Sequence, residues 1–235
     1  MANCMITFDI DWAPDWAVEH CKNKLERKGL KGVFFITHSS DIIQDLISSG
    51  HEVGIHPNLF PGSSHGDTFT EVFEHLLNVV PNASAMRTHG LYQSTTFFMN
   101  VAKHFPQIKI DFSLLTYRAT KVEKTALPFD GGSIDRINYN WEDDIAFNDA
   151  DFGWDCFRPW SNFHIFDFHP IHVALNSVDE TGYRQLKEQY FNAPLLRIEK
   201  KVVSGFRNPG TGAENYLDSV LASMQSSTTI KSMGY

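Results

Sequence analysis

Cysteine is scarce: three in 235 residues, at Cys4, Cys21 and Cys156, an odd number without CxxC spacing. That argues against a disulfide framework and a cysteine zinc site, and leaves reduced thiols. Long apolar runs are absent as well. The longest, such as residues 32–36, fall far short of the roughly 20 residues that span a bilayer. Met-Ala-Asn-Cys-Met at the start has no basic region leading into an apolar one. No membrane insertion and a cytoplasmic location are expected. Basic clusters are missing too: 20 Lys plus Arg stand against 28 Asp plus Glu, a formal charge of -8, so no nucleic acid partner is expected. No GxGxxG or Walker sequence follows the first strand, and no internal repeat is visible. What stands out is 11 His and 13% aromatic residues in a chain of a length that suits one domain, residues 1–235.

Residues 5–8 and 33–36 are short β-branched or aromatic runs bounded by polar residues or glycine, the pattern of strands buried on both faces. Between them Ala17, Cys21 and Leu25 recur at helical spacing, with Asp15 as N-cap and Gly29 as terminator. The alternation continues with helix 40–50, strand 52–55, helix 69–77, strand 84–87, helix 94–104 and strand 108–112. From 116 to 159 the periodicity fades, and short strands with long loops are expected. Residues 163–168 read as strand, 179–190 and 214–225 as helices, and 226–235 as a tail that frays. Strands alternating with helices imply a parallel sheet, and a closed or distorted β/α barrel suits the length better than a doubly wound sheet.

Polar side chains fall just beyond the C-terminal ends of these strands, where β/α folds place active sites. Asp9 and Asp11 follow the first, His56 the third, Arg87 the fourth and His169 the late strand. Extended residues two apart face one side, about 6.5 Å from each other. Asp9 and Asp11 therefore share a metal or a proton, unless they only cap the following helix. His51 and His56 cannot bind one ion together, because the strand between them spans roughly 17 Å and turns them to opposite faces. His56 is at the C-terminal end, while His51 packs or stays solvated. The loop after His56 holds two Pro, a Gly and two Ser and returns at His65, which is a further ligand or else a solvated or helix-capping side chain. Arg87 pairs with a catalytic carboxylate or makes a surface salt bridge, and His89 covers the site. His169, ending an aromatic strand and locked by Pro170, is half-buried and tunable in pKa; His172 is secondary. Trp12, Trp141, Trp154 and Trp160 fall in expected loops, where aromatic faces stack on sugar rings or cap the barrel.

Four stretches in order, Thr-Phe-Asp-Ile-Asp at 7–11, Gly-His-Glu-Val-Gly-Ile-His at 50–56, Arg87 with its following loop, and Phe-Asp-Phe-His-Pro at 166–170, resemble the motifs of the NodB-homology polysaccharide deacetylases, carbohydrate esterase family 4. The resemblance implies an α/β fold, a distorted (β/α) barrel in a single domain, and metal-assisted hydrolysis of an N-acetyl group on an amino sugar. It further implies Asp9 as catalytic base, Asp11, His56 and His65 as metal ligands, Zn2+ as the default ion, Arg87 as the residue orienting the base, and His169 as general acid. The stretch 140–144 would carry the acidic group that tunes its neighbours, and Trp12, Trp141 and Trp154 are the candidates for substrate binding. Two features depart from the family. Eight residues separate His56 from His65 where most members have three between their metal histidines, and no signal peptide or anchor is visible. By analogy, the chain is a cytoplasmic branch acting on a sugar-linked small molecule in surface polysaccharide synthesis. The competing readings are an amidohydrolase of small non-sugar amides using the same residues, and a carbohydrate-binding relative without turnover.

Overall fold

Buried strands and amphipathic helices alternate through the computed structural model, which describes residues 2–155, 157, 162–190 and 193–235. Its strands are β1 (Ala2–Asp9), β2 (Val33–Ile36), β3 (Glu52–Ile55), β4 (Ala85–Met86), β5 (Ile110–Leu115), β6 (Lys124–Phe129), β7 (Gly132–Tyr139), β8 (Trp141–Glu142), β9 (His164–Phe168) and β10 (Met224–Ser227). They form one sheet in the order β6-β7-β5-β4-β3-β2-β1-β9-β8, with β10 beside the start of β1. Every pairing is parallel except the β6/β7 hairpin. The two ends of the sheet approach each other at Asn140, which links β7 to β8 and binds Ile165 of β9 through its backbone N–H (3.2 Å) and its side-chain oxygen (3.0 Å). The result is the distorted (β/α) barrel expected, without a closed ladder.

Helices α1 (Asp15–Glu26), α2 (Asp41–Ser48), α3 (Phe69–Val79) and α4 (Thr95–His104) connect the early strands. Helices α5 (Asp143–Ala146), α6 (Pro170–Leu175), α7 (Thr181–Gln189), α8 (Lys200–Ser204) and α9 (Ala213–Ser223) follow. Local chemistry sets their starts: Ser40 and Ser94 accept N–H groups of the first turn, and Thr68 with Glu71 forms a capping box. Asp15 is not the N-cap of α1 but its first residue, after Pro14.

Alternation along the strands sorts side chains into two clusters. Cys4, Ile6, Phe8, Phe34 and Ile36 point outward under the helices. Met5, Val33, Phe35, Ala85, Ile110, Phe112, Ile137, Tyr139 and Ile165 fill the inside. The inner parity, continued to the strands' C-terminal ends, places Thr7, Asp9, Gly54, His56, Arg87, Asp167 and His169 inside as well. Gly54 is required there, since a Cβ would lie 2.7 Å from the Phe35 ring and 2.8 Å from the Ala85 carbonyl. The barrel is thus apolar below and ionisable above.

Within 116–159 the expected short strands are β6, β7 and β8, the first two forming a hairpin turned by Gly131 at φ +105°. One expectation needs correcting. Residues 226–235, expected to fray, are docked: Thr228 donates to the Cys4 carbonyl (2.9 Å) and Ile230 is buried in the inner cluster. Glu52 accepts the Lys231 N–H (2.9 Å), and the Tyr235 hydroxyl donates to Asp135 (2.7 Å). Cys4 and Cys21 are buried free thiols; Cys156 and Trp160 lie outside the described residues. Among those residues no helix is long and apolar enough to cross a membrane.

Candidate active site

Asp9, the last residue of β1, is 2% exposed and is held by Arg87, whose Nη1 donates to its Oδ1 at 3.0 Å. Arg87 is wholly buried. The same Nη1 donates to the Thr7 hydroxyl (2.9 Å) and to Asp167, and Nε donates to the Phe112 carbonyl (3.2 Å). Its guanidinium lies over the rings of Tyr139 (4.2 Å) and Phe35 (4.7 Å). One cation therefore serves two buried carboxylates. Burial, relieved in part by Arg87, pushes the Asp167 carboxyl up to about 7. Glu142 rises well above the usual carboxylate range through burial and the charges of Asp144 and Asp167, and it accepts the Tyr139 hydroxyl at 2.5 Å.

Beyond Asp9 the chain turns sharply, with Asp11 and Trp12 at φ +39° and +55°. The turn brings Asp11 onto His56 and His89. Asp11 Oδ1 lies 3.1 Å from His56 Nε2 and 3.1 Å from His89 Nδ1, and the two nitrogens are 3.2 Å apart. Those spacings are close to what one cation needs: ligands about 2.0–2.2 Å from a tetrahedral ion stand roughly 3.3–3.6 Å from each other. A second observation agrees. His56 Nδ1 is buried without a hydrogen bond and faces Asp9 Oδ2 at 3.6 Å, the carboxylate arrangement that leaves Nε2 free as a donor atom. Burial would raise Asp11, but hydrogen bonds from His56 and His89 and the nearby charge of His169 hold it well below its usual range.

On the opposite side His169, following β9, places Nε2 3.7 Å from Asp11 Oδ2. Its Nδ1 bonds Asp143 Oδ1 at 2.7 Å, and its backbone N–H donates to Asp143 Oδ2 at 2.9 Å. Burial opposes the charged imidazolium, but Asp143 outweighs it and raises His169 well above the ordinary histidine value. Asp143, from the acidic stretch 140–144, is the carboxylate that faces the His169 ring. His172, 5.6 Å from His169 ring to ring, is pushed down to about 3 by burial and by the His169 charge.

The structure brings together Asp9, Asp11, His56, Arg87 and His169, but not His65. Both nitrogens of His65 are taken: Nδ1 accepts the Asn58 N–H (3.1 Å) and Nε2 donates to the Thr37 carbonyl (2.7 Å). His89 stands in the third position, two residues past Arg87 in Arg-Thr-His-Gly. Its place after a strand was the available sign. Trp141 is not a loop residue either: it is fully buried in β8, packed on Phe168 (4.9 Å) and Tyr216 (4.8 Å). Trp154, 9% exposed, joins the same aromatic cluster. Among the described tryptophans expected as platforms, only Trp12 borders the Asp11–His56–His89 group, with its ring 5.4 Å from that of His89. His51 is buried behind β3, where its Nδ1 accepts the Gly32 N–H (3.1 Å).

A distorted β/α barrel with paired carboxylates and histidines on its C-terminal rim is the plan of the polysaccharide deacetylases. The WbmS-like polysaccharide deacetylase family matches residues 6–187, and the chain belongs to it. A solved structure described as a putative polysaccharide deacetylase involved in O-antigen biosynthesis, from Bordetella bronchiseptica, is 27% identical, with a TM-score of 0.80 over 93% of this chain and 89% of that one. A peptidoglycan N-acetylglucosamine deacetylase crystallised with a substituted N-oxidanyl-benzamide aligns over 98% of this chain and 87% of that one, with 12% identity and a TM-score of 0.46. Comparison with curated proteins gave no match.

Proposed function

We propose that this chain is a metal-dependent deacetylase that hydrolyses an N-acetyl group on an amino sugar during assembly of a surface polysaccharide. The observation that carries the reading is the placement of the Asp11–His56–His89 group between a carboxylate fixed by an arginine, Asp9, and an imidazole fixed by a carboxylate, His169. A divalent cation, Zn2+ by default, supplies polarisation of the amide carbonyl and acidification of water at such a donor set. Asp11, His56 and His89 would hold it. Asp9 accepts the proton of the attacking water, and Arg87 keeps its carboxylate aimed. His169 donates its Nε2 proton to the departing nitrogen, because an amide anion is not a viable leaving group. Asp143 keeps that proton on His169 and fixes the ring. Trp12 stands where a sugar ring can rest beside the reacting amide.

The test is acetate release from a panel of N-acetylated amino sugars, free, nucleotide-linked and oligomeric, before and after chelation and readdition of Zn2+. Zinc-restored acetate release is the expected result. Hydrolysis of small non-sugar amides alone, or release that chelation leaves untouched, would overturn the proposal.

A further inference from the structure

His65 lies at the end of the loop that leaves β3, 3% exposed, and its ring bridges two parts of the fold. Accepting at Nδ1 from Asn58 and donating at Nε2 to Thr37 fixes one neutral tautomer and uses every nitrogen the ring has. Burial pushes its pKa down to about 4, which keeps that tautomer at neutral pH. The ring is stacked on His75 (5.4 Å, 15° between planes) and leans on Trp12 (5.4 Å, 31°).

The loop so fastened touches His89 and two neighbours of the cation group, Trp12 and Gly90. The Pro57 carbonyl accepts the His89 N–H at 3.0 Å. The Ser64 hydroxyl accepts the Trp12 indole N–H at 3.2 Å. The Phe60 ring rests on Gly90, where any Cβ would come within 2.6 Å of it, and Gly90 holds φ +59°, so this seat is reserved for glycine. Thr37, the residue after β2, joins the same assembly, since its hydroxyl accepts the Trp12 backbone N–H at 3.0 Å.

We propose that His65 is a positioning residue: it pins loop 57–65 to the end of β2 and so sets His89 and Trp12 at the cation site, without touching the cation. The proposal rests on the metal reading above for the identity of the site, but the pin itself is made by protein groups alone. Loss of metal affinity in His65→Ala is expected for a pin and for a ligand alike, so the deciding measurements are others.

Nitrogen-proton correlation spectra of the metal-free wild type should show His65 as the Nε2–H tautomer, and titration with Zn2+ should leave that pattern in place. X-ray absorption on Zn2+-loaded wild type and His65→Ala should count two imidazoles in both, with affinity in the variant weaker by about 10-fold. Hydrogen exchange in the metal-free variant should quicken by about 10-fold or more at Asn58 and His89. A His65 tautomer that changes on metal addition, one imidazole fewer in the variant, or unaltered exchange at His89 would overturn the proposal. If wild type takes up no zinc, the metal reading fails, while the tautomer and the exchange rates still decide the pin. The wild-type spectrum needs no variant to fold.

Discussion

Asp143 grips His169 twice, one carboxylate oxygen on the ring at Nδ1 (2.7 Å) and the other on the backbone N–H (2.9 Å). The first contact favours the charged ring, and the second locks the segment that carries it. A general acid must be protonated to act, so activity falls as pH rises through the raised pKa of His169. Asp143→Asn removes the charge that raises it. The basic limb of the kcat–pH profile should then move to lower pH, by roughly 1 unit or more. A limb that stays in place would remove this pair from the mechanism.

Metal retention should divide the rim histidines. Purified Asp11→Ala and His89→Ala should fold and lose the divalent ion, whereas His169→Ala should keep it, as read by elemental analysis against protein concentration. Stoichiometric metal in His89→Ala would return the third ligand position to another residue.

Asp167 shares Arg87 with Asp9, and burial raises its carboxyl to about 7. A raised acid binds its proton more tightly in the folded chain than in the unfolded one. Its contribution to stability is therefore full below about pH 4 and is lost as pH climbs through about 7. Asp167→Asn has no proton to lose, so its urea midpoint should fall less than that of wild type across this window. Parallel pH curves for the two proteins would show that Asp167 does not titrate there.

Trp141 belongs to the core, and truncation to alanine should cost about 3–5 kcal/mol of stability. KM should hardly move at temperatures where the variant stays folded. Trp12→Ala should do the opposite, raising KM with little change in the melting temperature. A selective KM rise in Trp141→Ala would restore it as a substrate contact.

The strands of the barrel were legible because parallel strands are buried on both faces, so Val33–Ile36 and its neighbours read as unbroken apolar runs. Asp9, His56, Arg87 and His169 were legible as candidates because each stands at or just past the C-terminal end of its strand. His65 and His89 were not, because their roles depend on where two loops travel. The φ of +59° at Gly90 and +53° at Leu91 bends one loop over the site, and no periodic pattern encodes that path. Trp141 sits in a two-residue strand paired only through Phe166 and Asp167 of β9, a partner distant in sequence that no local window contains.

The docking of residues 226–235 beneath the barrel bears on biosynthesis. Ile230, a member of the inner cluster, is polymerised after every residue of the rim, and so is the backbone that occupies Glu52. Until translation has passed that point, the floor of the barrel stays open to water and the carboxylate of Glu52 has no amide to receive. A nascent chain can assemble the residues of the rim, all of which lie before residue 170, while its inner apolar cluster still lacks a stopper. The site is complete in sequence well before the fold beneath it is sealed.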